Sequence, residues 1–188
     1  MSPDGKRLVY QQRTKTYFEI WTLPLDQTDP DHPKPGAPER FAAAEANLIH
    51  PAVSPDGRWI AYASDESGPY QVYVRPFQKN NAGGKWQVSS SGGKMPVWSH
   101  DRKSLFFASL DSRIMVARYA AVGNTFQNGS PDICCEQELA ASADYRNFDL
   151  RPDGSGFVAL LPIQDDGKGS LHATFLLNFA DELRRKVR

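Results

Sequence analysis

One short phrase occurs four times in the chain and constrains its fold more than any other feature. Each copy is centred on an aspartate, and three of the four have a glycine directly after it. The copies are Ser2-Pro3-Asp4-Gly5-Lys6, Ser54-Pro55-Asp56-Gly57-Arg58, Ser99-His100-Asp101-Arg102-Lys103 and Arg151-Pro152-Asp153-Gly154-Ser155. They begin 52, 45 and 52 residues apart. A period of about 40–50 residues is typical of proteins built from stacked repeats, so we predict a repeat architecture.

The residue types of this turn phrase predict a tight hairpin turn. Proline presets the first central φ of a turn, aspartate bonds its side chain to nearby backbone N–H groups, and glycine adopts a positive φ. The third copy has His100 and Arg102 in place of proline and glycine, so we expect a different turn or local strain there. We therefore assign a structural role, and no chemistry, to Asp4, Gly5, Asp56, Gly57, Asp101, Asp153 and Gly154.

Runs typical of β-strands flank the turn phrases and recur in the same order in each unit. A β-rich run follows every phrase, and a further one follows at residues 17–23, 71–77, 113–119 and 173–177. Fourth strands are predicted at 39–41, 85–88 and 133–136. Three to four antiparallel strands per unit predict an all-β fold of the β-propeller type. We place its four blades at about residues 1–45, 46–92, 93–142 and 143–178.

Two segments do not follow this pattern. Residues 26–38 are rich in proline and acidic residues, which predicts an exposed loop between the third and fourth strands of the first blade. Residues 179–188 carry apolar side chains four residues apart and a basic end, which predicts a short C-terminal helix.

The first and last blades are predicted to be incomplete. The first unit begins at its turn phrase without an innermost strand, and the last becomes helical before a fourth strand. We therefore expect part of a larger propeller, with further blades before Met1; a closed four-bladed ring is the alternative. Open blade edges predict self-association.

Composition and motifs argue against several classes of function. The 22 basic and 22 acidic residues cancel, which argues against nucleic acid as a partner. No apolar stretch has the roughly 18–20 residues of a membrane span, and no signal peptide is evident, so the compartment remains unknown. Motifs for phosphate loops, nucleophile elbows and zinc proteases are absent, and the four histidines have no ligand spacing. We predict no catalytic residue, no metal and no cofactor.

A ligand site is predicted where the innermost strands and their connections surround the central channel, since concave sites with a few polar groups bind ligands. The candidate residues at this channel mouth are His50, Lys94, Tyr145, Arg146 and Asn147, with Asn47 and Met95 beside them. Lys94 and Arg146 favour an acidic ligand or a peptide carboxylate.

A family resemblance rests on four consecutive stretches. They are SPDGRWIAYASDESG at 54–68, VYVRPF at 72–77, GGKWQVSSSGG at 83–93 and PVWSHDRKSLFF at 96–107. Together they resemble the TolB-like, WD-repeat-like propeller that forms the C-terminal part of certain bacterial serine/threonine protein kinases. Residues 176–183, LLNFADEL, are similar to the closing segment of those proteins.

The resemblance implies a non-catalytic module that binds a protein, peptide or small ligand. In that family a kinase domain and usually a membrane span precede the propeller, which acts as a sensing or interaction region outside the membrane. The kinase motifs themselves are absent from this chain. Two alternatives stay open: the substrate-filtering propeller of a prolyl-oligopeptidase-like peptidase, and a TolB-like periplasmic scaffold.

Overall fold

The chain folds into four antiparallel β-sheets in a computed structural model that describes residues 1–29, 32–77, 83–141 and 145–162. The first sheet contains β1 (Arg7–Arg13), β2 (Phe18–Asp26), β3 (Lys34–Pro35) and β4 (Glu39–Ala42). The second contains β5 (Leu48–Val53), β6 (Trp59–Ser64), β7 (Gln71–Pro76) and β8 (Trp86–Gln87). The third contains β9 (Lys94–Trp98), β10 (Ser104–Ala108), β11 (Arg113–Val122), β12 (Thr125–Asn128) and β13 (Asp132–Glu138). The fourth contains β14 (Phe148–Leu150) and β15 (Phe157–Ala159).

The second sheet shows the complete blade pattern, in which four strands follow one another in the order β5-β6-β7-β8. The third sheet repeats it as β9-β10-β11-β13, and β12 pairs with an extension of β11. In the first sheet, β1, β2 and β4 match the second, third and fourth strands of this pattern. No described residue supplies its innermost strand. The prediction of an all-β, incomplete propeller is therefore confirmed.

The turn phrases precede the second strand of each blade, and three of them share one set of bonds. In the second blade, the Ser54 hydroxyl donates to Asp56 Oδ1 at 2.6 Å, and the same oxygen accepts from the Arg58 N–H at 3.1 Å. The Gly57 N–H donates to the Ser54 carbonyl at 2.9 Å, and Gly57 has a φ of 69°. The first and third phrases repeat the serine–aspartate bond at 2.7 Å and 2.6 Å.

The third turn phrase keeps this geometry despite its different sequence. The Arg102 N–H donates to the Ser99 carbonyl at 3.1 Å, and Arg102 takes the glycine position with a φ of 59°. A left-handed backbone is unfavourable for a residue with a Cβ. Of the two expectations for this copy, a different turn is wrong, and a strained residue in the usual turn is what the structure shows.

Three buried clusters hold neighbouring sheets face to face. Ile20 and Phe41 of the first sheet pack on Ile60 and Tyr62 of the second. The next contact is between the second and third sheets and contains Trp59, Trp98 and Phe126, among others. Met95, Ile114 and Phe148 join the third sheet to the fourth.

Strand β6 shows why this stacking follows from the sequence. All six of its side chains are buried, because alternate residues point to opposite faces and both faces carry a neighbouring sheet. Ile60 and Tyr62 face the first sheet, whereas Trp59 and Ala61 face the third. Among the described residues, no such cluster joins the first sheet to the fourth.

Two other expectations need comment. The predicted exposed loop at 26–38 is confirmed, since it lies between β2 and β4 and its described residues are exposed. It also contains the short strand β3, in which Pro35 pairs with Leu25 of β2. The Gly36 N–H donates to the Pro24 carbonyl at 2.8 Å, and this bond holds β3 next to β2. The predicted strand 173–177 and helix 179–188 lie outside the described residues. Within those residues, no helix is long and apolar enough to cross a bilayer.

Candidate functional site

The first strands of the second, third and fourth sheets, together with Met1 and Val9 of the first sheet region, border a cavity of about 380 Å³, here called the channel cavity. Its wall combines apolar side chains with polar groups, because it is formed by backbone and small side chains of β5 and by the end of β9. A histidine from the third turn phrase and two charged residues near β14 complete it. The lining residues are Met1, Val9, Pro51, Ala52, Val53, Pro55, Val97, Trp98, His100, Arg146 and Asp149.

Two charged side chains give the channel cavity its polarity. Arg146 Nη1 lies 3.5 Å from Asp149 Oδ1, and the two side chains are 40% and 63% exposed. An exposed pair of this kind is held weakly, so the guanidinium keeps donors that a carboxylate ligand can accept. The Trp98 indole N–H donates to the Ala52 carbonyl at 3.0 Å, which fixes the apolar wall beside them.

The structure does not bring all the predicted channel residues together. Arg146 lines the channel cavity, and Tyr145 beside it is 82% exposed. Lys94 turns away, since its ammonium lies 4.4 Å from the ring centre of Tyr70. Asn147 is buried, and its side-chain amide donates to the Ala140 carbonyl at 2.9 Å. Of these four residues, only Arg146 lines the cavity.

The remaining predicted residues hold the backbone of the inner strands. His50 and Met95 each precede a proline and have positive φ values of 55° and 56°. The His50 N–H donates to Gln11 Oε1 at 2.8 Å, and the Met95 side chain is buried between sheets. The Asn47 amide donates to Asp65 Oδ2 at 2.8 Å. These positions mark an irregularity in β5 and β9 where their pairing register shifts.

Sequence reasoning missed His100 and Asp149 as cavity residues. In the sequence, His100 belongs to the third turn phrase, and Asp149 lies in the short run directly before the fourth phrase. A signal was present for His100, since an imidazole replaces the proline of the other three copies. The position of Asp149 follows from strand pairing, because its partner Val158 is 68% exposed and both face away from the third sheet.

A second cavity lies between the first two turn phrases and is here called the inter-turn cleft. Its volume is about 450 Å³. Prolines and phenylalanines form its apolar wall, and aspartates from both phrases form its polar part. The lining residues are Ser2, Pro3, Asp4, Arg7, Phe41, Pro55, Asp56, Gly57 and Phe77. Pro55 lines both cavities, so they are neighbours.

The lining of the inter-turn cleft contains two carboxylates and one cation. Arg7 Nη1 lies 3.0 Å from Glu39 Oε2, so the one cation of the lining is already paired. The hydrogen bond from the Ser2 hydroxyl, with that from the Lys6 N–H, holds the pKa of Asp4 below its ordinary value. Asp4 is therefore a carboxylate at neutral pH.

The corresponding place between the second and third sheets is filled. Phe126, carried by the β11–β12 hairpin, lies 5.3 Å from Trp59 and 4.9 Å from Tyr119, measured between ring centres. Burial, with the nearby Asp56 and Asp101 carboxylates, raises the pKa of Tyr119 to about 12. The carboxylates of two successive turn phrases therefore lie close enough to a side chain between their sheets to change its pKa.

The described residues include no group of three or more histidine, cysteine or acidic side chains placed to hold a metal ion.

Comparison with known proteins identifies the fold. No family model matches the chain. A curated, uncharacterised protein of Agrobacterium fabrum is 31% identical in an alignment of 109 residues that covers 53% of this chain and 34% of that protein. The chain thus spans about a third of the length of that relative.

Three solved structures are similar in fold. A provisionally assigned TolB from Agrobacterium tumefaciens has a TM-score of 0.51 and 22% identity, covering 70% of this chain and 48% of that one. A provisionally assigned 6-phosphogluconolactonase from Bacteroides uniformis has a TM-score of 0.56 and 18% identity, covering 86% and 46%. TolB from Acinetobacter baumannii has a TM-score of 0.50 and 14% identity, covering 84% and 35%. The chain therefore has a TolB-like propeller fold and spans half or less of these structures.

Proposed function

We propose that the chain is a non-catalytic, TolB-like propeller scaffold that binds a protein or peptide on the extracytoplasmic side. The observation that carries this proposal is the channel cavity, in which apolar side chains of β5 and β9 lie next to the half-exposed Arg146 guanidinium. Apolar surface with a few convergent polar groups is the usual composition of a ligand site.

The ligand class follows from the charges at the cavity. Arg146 supplies a planar set of N–H donors that matches a carboxylate, and its partner Asp149 is largely exposed. A peptide carboxylate can accept two N–H donors of the Arg146 guanidinium, which is a stronger interaction than its exposed pair with Asp149. We therefore expect free peptide C-termini or acidic side chains to bind.

A finer version of the proposal is that the propeller belongs to a kinase-associated sensor. It is supported by the resemblance of residues 54–107 to the propeller of bacterial serine/threonine kinases. In this version the binding event at the channel cavity is the signal, and the catalysis resides in another domain.

The test is binding of short peptides to the purified 188-residue chain. Tetrapeptides with a free C-terminus are compared with the same peptides amidated, by calorimetry and thermal shift. We expect the free acids to bind and Arg146→Ala to weaken them about tenfold, the loss of one charge-assisted interaction.

The matched control is Arg151→Ala. Arg151 also lies in the fourth sheet region and pairs with an aspartate at 3.3 Å, but within its turn phrase and outside the channel cavity. Equal effects of the two variants, or equal binding of acids and amides, contradict the proposal. Turnover of 6-phosphogluconolactone, the substrate implied by the name of one structural neighbour, contradicts its non-catalytic part.

A further inference from the structure

The inner edge of the first sheet borders the channel cavity and has no strand beside it among the described residues. β1 pairs with β2 on one side, and no described residue continues the sheet on the other. Val9, in the middle of β1, lines the channel cavity. In the second and third sheets an extended strand, β5 or β9, occupies the equivalent place. The first sheet therefore presents to the cavity a strand edge that the next two sheets keep paired.

The backbone groups at this edge can be identified from the bonds around β1. The Lys6 carbonyl accepts a hydrogen bond from a β2 N–H at 2.8 Å, so Lys6 faces β2. Residues of an antiparallel pair alternate between bonding the partner strand and pointing away from it. The N–H and carbonyl groups of Val9 and Gln11 therefore point to the open edge. Arg7 has the same orientation, since its N–H donates to Ser2 Oγ at 2.9 Å.

The second sheet shows what such groups bind when the inner position is filled. Counted from the turn serine, Val9 and Gln11 correspond to Ala61 and Ala63 of β6. Both of these residues pair with β5, and Ala52 is the partner of Ala61. The corresponding residues of the third sheet pair with β9. An extended peptide beside β1 makes the same backbone bonds, which is the recognition mode called β-strand addition.

The end of such a strand lies at the height of the charged pair in the cavity. Ala52 lies two residues before the second turn phrase, and Asp149 lies two residues before the fourth. Equivalent positions of inner strands share one height along the propeller axis, because blades repeat radially. A strand that ends opposite Val9 therefore ends at the height of Asp149, the partner of Arg146 in the same cavity.

We propose that the peptide ligand of the channel cavity binds as an added β-strand, antiparallel to β1 and paired with Val9 and Gln11, with its C-terminal carboxylate on Arg146. The inference rests on the function proposed above and adds how the ligand is held. The strands that fill this place in the next two sheets are mainly apolar, with the sequences LIHPAV and KMPVW. The preferred ligand is therefore an extended, mainly apolar peptide with a free C-terminus.

The first measurement is amide hydrogen exchange in the 188-residue chain without ligand. The Tyr10 N–H points to β2, so we expect it to exchange at least about tenfold more slowly than the N–H groups of Val9 and Gln11. Protection of Val9 and Gln11 in the free chain overturns the inference, because the edge is then filled by the chain itself or by a second copy.

The probe is a synthetic peptide with the sequence of residues 46–52, ANLIHPA, and a free C-terminus. One version is N-methylated at the residues corresponding to Ile49 and Ala52, which face the paired strand in β5. The matched control is N-methylated at the residue corresponding to Leu48, which points away from that strand. Calorimetry measures binding, and we expect the first version to bind at least about tenfold more weakly than the parent peptide and the control to bind within about twofold of it. The parent peptide is expected to slow exchange at Val9 and Gln11 about tenfold.

The matched variants of the chain are Val9→Pro and Val9→Thr. Proline removes the N–H that points to the open edge and leaves the bonds to β2, an orientation in which edge strands accept proline. Threonine keeps the N–H and the β-branched shape. In chains with a native near-ultraviolet circular dichroism spectrum, we expect Val9→Pro to weaken peptide binding about tenfold and Val9→Thr to weaken it less than about threefold. Equal binding by the two variants overturns the inference.

The peptide versions separate this inference from the function proposed above. If methylation at both facing residues has no effect while amidation of the C-terminus weakens binding, strand addition is overturned and the Arg146 site stands. The reverse pattern supports strand addition and contradicts the carboxylate site. If no version binds a natively folded chain, both are overturned.

Discussion

The contact between the first and second sheets differs from that between the second and third, although the backbone frame is the same. Position for position, Arg7 and Glu39 form an ion pair of 3.0 Å where Trp59 and Trp86 form an edge contact with ring centres 5.6 Å apart. The aromatic contact is closed by Phe126, and the charged one borders a cavity of about 450 Å³.

The difference teaches how a repeat protein separates stability from binding. The turn phrases and strand pairing are common to both contacts, so they do not decide which one is filled. Among the described residues, the two contacts differ in the side chains at these two positions and in the β11–β12 hairpin that closes the aromatic contact. We therefore expect the aromatic contact to contribute more to stability than the charged one, which keeps accessible polar surface.

The largest expected effect on stability comes from removing the Phe126 ring from the contact between the second and third sheets. Phe126→Ala removes a ring that is 2% exposed and that contacts rings from both sheets, so we expect a loss of about 3–5 kcal/mol in the free energy of unfolding. Urea denaturation followed by tryptophan fluorescence measures it.

The control for Phe126→Ala is Val122→Ala in the same hairpin, where the side chain is 75% exposed. We expect a change within about 0.5 kcal/mol for this variant. A loss below about 1 kcal/mol for Phe126→Ala would show that the hairpin does not hold the two sheets together.

A second prediction applies one substitution at the two equivalent positions. Trp59→Met removes aromatic area from a site that is 1% exposed, and we expect a loss of about 2–3 kcal/mol. Arg7→Met breaks an ion pair whose partners are 22% and 49% exposed, and we expect a loss below about 1 kcal/mol because water screens such pairs. Thermal and urea unfolding of both variants measures the contrast, and equal losses would remove the distinction between the contacts.

Much of this architecture is predictable from the sequence because its determinants are local. The aspartate-centred turn needs residues within six positions of one another, so its four copies, its strands and the blade order can all be read from the chain. The same logic extends to a turn that sequence reasoning missed. Ser109, Asp111 and Arg113 repeat the pattern between β10 and β11, where the hydrogen bond from Ser109 lowers the pKa of Asp111.

The cavities were less predictable because they depend on contacts between distant residues. Lys94 begins the inner strand β9, but its ammonium lies over the ring of Tyr70 in the preceding blade and not in the channel cavity. Asn147 is adjacent to Arg146, yet its amide is used inside the protein to bind the Ala140 carbonyl. The β11–β12 hairpin follows no repeat period, so neither the filled contact nor the inter-turn cleft could be foreseen from the turn phrases.

The smallest expected effect concerns the frame that both contacts share. Arg102 occupies the glycine position of its turn phrase at a φ of 59°, whereas Gly5, Gly57 and Gly154 have values of 70°, 69° and 71°. Arg102→Gly removes the steric cost of a Cβ in this region, which exceeds the entropy that glycine loses on folding, so we expect a gain of about 0.5–1 kcal/mol. The reverse change, Gly57→Ala, places a Cβ at the same φ, and we expect a loss of about 1 kcal/mol.

Urea midpoints of the two variants are compared with that of the parent chain. If Arg102→Gly is neutral or destabilising, the arginine side chain holds the third turn by contacts of its own. The turn phrases would then not be interchangeable, and the difference between the two contacts would begin in the frame itself.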